Sequence, residues 1–478
     1  MPCLFLGCGG RGDEAVWQLP NSDLEGTRVA AGSSIDFGNV ARLEVRWRFA
    51  FTARPSFSGI FASNPVADAD TVYAQDLRSN VFALDRSTGA LRWARRYHAR
   101  NDGPNGLVVD GNGVYGATDS DAFRLDAATG KERWRRHLTG ASEQFVDVAP
   151  MVWEDFVFLS TVGFPPTGRG AIYALDAETG AVRWKFVTIK EPWRFPLEAG
   201  GGGLWNPVSV DSRGRLYAGN SNPAPWGGTP ERPNGGVFPG PALYTDSLLV
   251  LDARTGRLLW HDQVTPHDVR DYDFQATPVL ATIDGDDLVF GAGKAGRVIA
   301  WDRETRRRRW TAVVGLHRND LGPLPRRRVT VCPGLLGGVE TPMAYTDGRL
   351  FVPVVDLCGW GSAVDRQELT EVNATEGRGR LVALDARSGR TLWERRLPSP
   401  NFGCATVSSD VVFTSTYAGT VYAFAVRDGS LLWRSGMRAG VNACPAVVGD
   451  LLLVGAGVRL PGRPDPEPEL VAFSVPND

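Results

Sequence analysis

Lysine is nearly missing from this chain: four occur among 52 basic residues, and arginine supplies the rest. Where lysine is kept against that habit, a compact, mobile ammonium is being used in place of a planar guanidinium. Histidine (5), cysteine (6) and methionine (4) are sparse too. The cysteines form no CxxC, CxxCH or zinc-type spacing, which excludes a covalently attached c-type haem and argues against structural zinc. No apolar run reaches the roughly 18 residues of a membrane-spanning helix. Net charge is only −2 with both signs spread along the chain, so nucleic acid is excluded as a general partner. Arginine runs at 306–309 and 326–328 read as solvated strand ends and loops.

Glycine and proline are plentiful, at 56 and 32, and 43% of residues are hydrophobic, so the chain is turn-rich and able to bury a large core. Its 478 residues would ordinarily suggest two or three domains. A repeat array grows by units instead, and a repeat is present. An apolar strand ends in Asp, followed by two residues, Ser or Thr, Gly, three residues and Trp: VFALDRSTGALRW to Trp93, AFRLDAATGKERW to Trp134, IYALDAETGAVRW to Trp184, LLVLDARTGRLLW to Trp260 and LVALDARSGRTLW to Trp393. Two copies have drifted, with Arg306 in place of glycine before Trp310 and Ala425 in place of aspartate before Trp433.

Physically this is a hairpin: Asp accepts from the turn amides, Gly takes the left-handed conformation, and Trp alternates to one face. One unit cannot bury that Trp alone and must stack on the next. With a further short strand upstream of several copies, each unit predicts a four-stranded antiparallel blade. Leu43-Glu44-Val45-Arg46-Trp47 and Leu470-Val471-Ala472-Phe473 are two halves of one more repeat. The expectation is an all-β, eight-bladed β-propeller over residues 35–478, closed by strands from both termini. A WD40 propeller is set aside because its signatures do not fall in register.

Residues 1–34 are set apart as an N-terminal tail. Within it Leu4-Phe5-Leu6-Gly7-Cys8 resembles the end of a bacterial lipoprotein signal, although the basic start and full apolar segment are absent. That makes Cys8 a candidate lipid anchor and implies an extracytoplasmic location. Cys332, Cys358, Cys404 and Cys444 are disulfide candidates, which suits an oxidising compartment.

The repeat tryptophans are unevenly spaced: 76 residues separate Trp184 from Trp260 and 83 separate Trp310 from Trp393, where 40 to 50 is usual. Insertions on a propeller gather on one face, where binding sites form. The first long interval holds a glycine run at 200–203 before Leu204-Trp205, then Gly219-Asn220-Ser221-Asn222-Pro223; after Trp260 come His267-Asp268-Val269-Arg270-Asp271-Tyr272-Asp273 and Gly291-Ala292-Gly293-Lys294. This order resembles the quinoprotein alcohol dehydrogenases, whose cofactor is pyrroloquinoline quinone (PQQ) held with a metal ion. The repeats carry the resemblance over nearly the whole chain, and residues 200–297 carry its specific part.

The resemblance implies that Trp205 stacks on the quinone, Asn222 ligates the metal, Asp271 is the catalytic base (with Arg270 replacing the tryptophan of the family's Trp-Asp-Tyr motif) and Lys294 lies over the reactive carbonyl. It also implies a Cys332–Cys358 disulfide. Such a set makes chemical sense, because a carboxylate takes a hydroxyl proton while a divalent ion and an ammonium stabilise developing negative charge. Each residue also has a plain reading: Trp205 as core aromatic, Asn222 as a turn cap, Asp271 and Asp273 as surface acids, Lys294 as a solvated side chain.

Departures from the family pattern are concentrated in the pocket. No carboxylate falls near Thr161-Val162-Gly163-Phe164, where a metal-ligating glutamate is expected, and none at Ala62-Ser63. The vicinal cysteine pair is missing around Asn105-Gly106-Leu107, and Glu340 replaces an asparagine that contacts the cofactor. Asp273 is a replacement metal donor at the spacing that accompanies a lanthanide instead of calcium in some relatives; Glu340 is another from across the pore. Two functions stay open. One is a PQQ-dependent dehydrogenase of an alcohol or related hydroxyl compound, passing electrons to a separate acceptor. The other is a non-catalytic propeller binding a protein partner, like the bacterial outer-membrane assembly lipoprotein built on similar repeats.

Overall fold

The structure, a computed structural model, describes residues 15–51, 63–101, 103–140, 143–164, 168–190, 200–238, 240–460 and 467–476. Eight antiparallel blades of four strands follow one another along the chain, and in the third Gln144–Phe145 pairs as a fifth strand with Phe156–Gly163. Blade 1 is Val66–Ala67, Thr71–Gln75, Val81–Asp85 and Leu91–Arg95, hydrogen-bonded in that order, and blades 2 to 7 repeat the scheme. Blade 8 joins the termini: Ala446–Val448, Leu451–Ala456 and Glu469–Ser474 are completed by Glu44–Ala50, whose Trp47 pairs with Ala472. The first strands of neighbouring blades touch around the ring, which places them nearest the axis. Among the described residues no helix is long and apolar enough to cross a membrane.

The repeat motif works as its chemistry requires. In blade 1, Asp85 Oδ1 accepts from the amides of Ser87 and Thr88 at 3.1 and 3.0 Å, and the Ser87 hydroxyl, the Arg92 guanidinium and the Thr88 hydroxyl hold its carboxyl well below the ordinary range. Gly89 follows at φ 72°, and a Cβ there would lie 2.7 Å from the Trp47 ring of the preceding blade. Trp47 Nε1 donates to Arg86 O in the same turn at 2.9 Å. Each of Trp93, Trp134, Trp184, Trp310, Trp393 and Trp433 likewise donates to a carbonyl in the next blade, the last of them to Leu43 where the chain begins its closing strand. Trp260 faces the turn in which Arg306 replaces glycine at φ 62°, and it has no such bond among the described residues.

The stretch before Ile35, expected as a tail, is part of the propeller over its described portion. Backbone bonds tie it in turn to blade 1 (Trp17 to Ala67), blade 2 (Gln18 to Val109), blade 4 (Leu24 to Val210), blade 5 (Glu25 to Leu280), blade 6 (Thr27 to Tyr345), blade 7 (Arg28 to Val407) and blade 8 (Ser34 to Gly449). Arg28, wholly buried, fixes this strap through Ala405 O, Thr406 Oγ1 and Pro445 O as well as Pro20 O and Asn21 Oδ1. Cys8 lies outside the described residues.

The Arg306 seat gives a direct test. A non-glycine residue in the left-handed region costs about 1–2 kcal/mol, so Arg306→Gly is expected to raise unfolding stability by about 1 kcal/mol. A shift of the urea midpoint to higher concentration at unchanged slope is the expected readout; a lower midpoint would mean that Arg306 contributes contacts worth more than its strain.

Candidate active site

The glycine run at 200–203 is a bed for the loop that carries Asn222. Gly200 and Gly201 pair with Ala224 and Pro223, Gly202 N donates to Asn222 O at 3.0 Å, and Ser221 N donates to Gly203 O at 2.9 Å. Side chains are excluded there: a Cβ on Gly201 would stand 2.6 Å from Asn222 O, and one on Gly203 2.4 Å from Thr161 O. Glycine has the same use before Lys294. A Cβ on Gly293 would meet Asp273 O at 2.0 Å, and this close approach lets Lys294 N donate to Asp273 O at 3.0 Å.

These backbone contacts bring four predicted residues together. Asn222 Nδ2 donates to Asp271 Oδ1 at 2.6 Å, and Asn222 N donates to Asp273 Oδ1 at 2.8 Å. Lys294 Nζ lies 2.7 Å from both Asp271 Oδ2 and Asp273 Oδ2. All four are buried, none more than 9% exposed. Asp271 itself sits at φ 66°, clamped from both sides. Asp268 accepts from the amides of Arg270 and Tyr272 at 2.9 and 2.7 Å, and Tyr272 Oη donates to Pro333 O at 3.0 Å.

Glu340 and Trp205 stand on the same inner ring. The residues that lead into the first strands link blade to blade: Asn206 Nδ2 donates to Gln275 O at 3.0 Å, and Gln275 Nε2 donates to Glu340 O and Oε2 at 2.8 and 2.6 Å. The Trp205 ring packs 6.1 Å from Phe145, between Asn206 and Leu204, whose amide donates to Ser160 Oγ. On the other side Cys444 N donates to Asn64 Oδ1 at 3.0 Å, and a Cys404–Cys444 disulfide joins blades 7 and 8. Cys332 and Cys358 are bonded as the resemblance implies, so all four candidate cysteines are in disulfides.

The electrostatics are lopsided. One ammonium serves Asp271 and Asp273, with Glu340 also within its field. Burial pushes Asp271 up to about 7 against the pull of Lys294, and burial raises Glu340 to about 8. Burial alone would lower Lys294, but the three carboxylates hold it well above its usual value. Asp268 is raised by burial to about 6. Asp246, wholly buried with both carboxylate oxygens unpaired among the described residues, is likewise raised well above its ordinary value by burial.

Sequence reasoning missed Asp246, Asp268 and Gln275. The two-residue step from Asp268 to Arg270 is a turn-capping spacing that pointed to Asp268, whereas nothing marked Gln275 or Asp246. It also treated Ser63, Asn105 and Thr161 only as losses. Structurally, Ser63 Oγ, Asn105 Oδ1, Thr161 Oγ1, Trp205 Nε1, Glu340 Oε1 and Thr341 Oγ1 are buried polar atoms without a partner among the described residues. Unpaired buried polar atoms cost about 1–3 kcal/mol each. Their concentration on this wall, including every position where family contacts had seemed lost, suits a polar ligand reached from several blades.

The two long insertions meet each other over this region. Asn234 and Leu324 exchange side-chain-to-backbone bonds of 3.2 and 2.8 Å, Asn234 N donates to Ala363 O at 2.6 Å, and the Arg366 guanidinium lies 4.6 Å over the Trp226 ring.

Comparison with known proteins agrees with the fold. A family model described as glucose/ethanol/alcohol dehydrogenase, beta-propeller domain, matches residues 139–311, and one described as outer membrane protein assembly factor BamB matches 38–192 and 334–463. Quinohemoprotein alcohol dehydrogenase ADH IIB of Pseudomonas putida is 26% identical over 87% of this chain and 69% of its own length. The quinohemoprotein alcohol dehydrogenase structure from Comamonas testosteroni superposes with a TM-score of 0.82 at 23% identity, covering 96% of this chain and 80% of that one. A europium-containing methanol dehydrogenase superposes at 0.80 with 20% identity, covering 97% and 98%.

Removing the shared cation tests the cluster. Lys294→Met leaves Asp271 and Asp273 facing one another in a buried site, and a loss of about 3 kcal/mol in unfolding stability is expected. Adding Asp271→Asn and Asp273→Asn should recover most of it. A Lys294→Met chain with the parent's urea midpoint would show that the carboxylates do not depend on the ammonium.

Proposed function

This chain belongs to the PQQ-dependent alcohol dehydrogenase-like β-propeller family, and from that premise we propose that it is a dehydrogenase of an alcohol or related hydroxyl compound, working with PQQ and a hard cation in the pore. The observation that carries this reading is the convergence of Asn222, Asp271, Asp273 and Lys294 into one buried, hydrogen-bonded cluster. Four residues drawn from three separate segments have no structural need to meet there.

The quinone fits the chemistry of the wall. Trp205 offers a flat apolar face, and the unpaired atoms of Ser63, Asn105, Thr161 and Glu340 offer donors and acceptors from blades 1, 2, 3 and 6. When bound, PQQ supplies the carbon that receives hydride. Asp271 takes the proton of the substrate hydroxyl, and Lys294 Nζ presents positive charge to an oxygen lying over the cluster.

The cation set is Asn222 with Asp271 and Asp273, three oxygen donors that a hard ion prefers. Among the described residues no group of three His, Cys, Asp or Glu could hold a metal, so the amide is needed to complete even three. A buried surplus of carboxylate over ammonium supports calcium or a lanthanide there, since uncompensated buried charge is costly. The ion and Lys294 compete for the same two carboxylates, and the second aspartate favours the more highly charged ion.

Two disulfides suit an extracytoplasmic setting, and electrons leave to a separate acceptor. The alternative, a binding or assembly scaffold without chemistry, draws support from the BamB family model, which matches blades on both sides of the ring.

Titration of the purified chain with PQQ, followed by quinone absorbance, is expected to show saturable uptake that depends on calcium or a lanthanide. Terbium luminescence excited through tryptophan should appear in the parent and vanish in Asp273→Asn. Asp271→Asn should cut dye-linked alcohol oxidation by about 100-fold or more. No saturable, metal-dependent absorbance change sinks the enzyme reading and leaves the scaffold.

A further inference from the structure

Where the two long insertions meet, they enclose a narrow pocket that the four-residue cluster does not use. Trp226 reaches it from the blade 4 insertion, Trp360 and Arg366 from the blade 6 insertion, and Arg270 from the segment that carries Asp271. Leu324 and Leu335, both buried, are among its apolar walls. Leu324 belongs to the small core that also holds Tyr272 and Ala295, the residues next to Asp271 and Lys294.

The donors on this lining are unpaired. Trp226 Nε1 and Arg366 Nε are buried atoms with no hydrogen-bond partner among the described residues. The Arg366 guanidinium lies 4.6 Å over the Trp226 ring, and its ion-pair partner there is Glu368, a 61% exposed side chain 3.5 Å away. Arg270 Nε and Nη2 are spent on the carbonyls of Asn319, Leu321 and Gly322, in an excursion of the blade 6 insertion, which leaves Nη1 without a partner among the described residues. Among the described residues no carboxylate lines the pocket. The neighbouring aspartates are committed elsewhere: Asp268 to the Arg270 and Tyr272 amides, Asp320 to Arg297 and His317, and Asp365 to Arg328. Buried donors without acceptors cost free energy, and two guanidiniums facing one pocket leave positive charge for an anion to offset.

We propose that this pocket binds a small carboxylate, whose oxygens take the Arg366 and Trp226 donors while its carbon lies among the leucines. A guanidinium edge matches the two oxygens of a carboxylate. Positive charge disfavours a metal or an amine, and the apolar walls disfavour inorganic phosphate, which carries no carbon to set against them. Because the walls come from both insertions, a bound carboxylate ties the two together. The carboxylate is either a free molecule or the acid end of a hydroxy acid undergoing oxidation; the second source rests on the dehydrogenase reading.

The test uses the intact chain without quinone and propionate as probe, with propionamide and inorganic phosphate as controls, read by isothermal titration calorimetry. Saturable binding of propionate is expected, with none for either control. R366Q should weaken it by about tenfold or more. W226F, which keeps an aromatic ring but removes the donor, should weaken it by about threefold, with circular dichroism unchanged in both variants. No propionate binding, equal binding of propionamide, or parent affinity in R366Q overturns the proposal and leaves the pocket to water. Addition of PQQ and calcium then separates the two sources. If the substrate brings the carboxylate, R366Q raises KM for γ-hydroxybutyrate while n-butanol oxidation is unchanged, and propionate competes with the hydroxy acid. If the carboxylate is free, propionate alters n-butanol oxidation in the parent but not in R366Q. The calorimetry needs no quinone, so failure of the pocket and failure of PQQ uptake are read separately.

Discussion

Everything in this molecule depends on an indole of one blade resting on the turn of the next. The contact has two parts that need each other. The turn must bend through a left-handed residue to present its carbonyl, and that residue must lack a side chain because the ring occupies the space where Cβ would be, 2.5–2.7 Å away at the six glycine seats. Glycine answers both demands at once. Arginines reinforce some of the seats, as Arg46 does at Ser87 O, Arg136 at Gly180 O and Arg395 at Gly429 O, so the ring is held by a series of similar joints. Trp433 finds Leu43 O where no hairpin turn exists, and so the closing blade is secured by the same chemistry as the rest.

A ring held this way fixes what lies at its centre. Eight first strands converge, and the residue leading into each is presented to the axis with little freedom to move away. Sequence change there alters chemistry without disturbing the scaffold: Ser63, Asn105, Glu340 and the disulfide-bonded Cys404 and Cys444 each stand shortly before the first strand of a different blade. The same convergence concentrates charge. With Asp271, Asp273 and Glu340 around one ammonium in a medium that solvates poorly, the pore demands further positive charge, a proton or a bound cation.

The scaffold was legible because its information is local and repeated. An Asp-to-Trp hairpin reads the same in five places and with one key residue changed in two more, and each half-repeat at the ends predicts its complement. Asn222, Asp271 and Lys294 were legible for another reason: glycine runs and a Asp-Tyr motif resemble a known family at those points. What stayed hidden was bonding through the backbone. The strap over residues 17–34 has no period and no apolar face, since it is held by amides and carbonyls that any sequence possesses, and only wholly buried Arg28 betrays it. Gln275 was invisible likewise, because its importance lies in reaching Glu340 in the next blade, a partner 65 residues away. Asp246 needed burial to become noticeable at all.

Arg270 shows how a departure from pattern can be a substitution of function and not a loss. A tryptophan at this place would offer one donor and a large apolar face, holding a neighbouring loop by packing. Arginine offers five N–H groups in a rigid fork, and here it binds three carbonyls of the blade 6 excursion. Hydrogen bonds to carbonyls fix the loop's path while leaving its side chains free to face outward, which packing against an indole would not. Tyr272, two residues on, reaches the same insertion at Pro333, and Gly338 lets its backbone lie against Lys294 O, where a Cβ would come within 2.1 Å. Asp271 and Lys294 are thus both held from the same insertion.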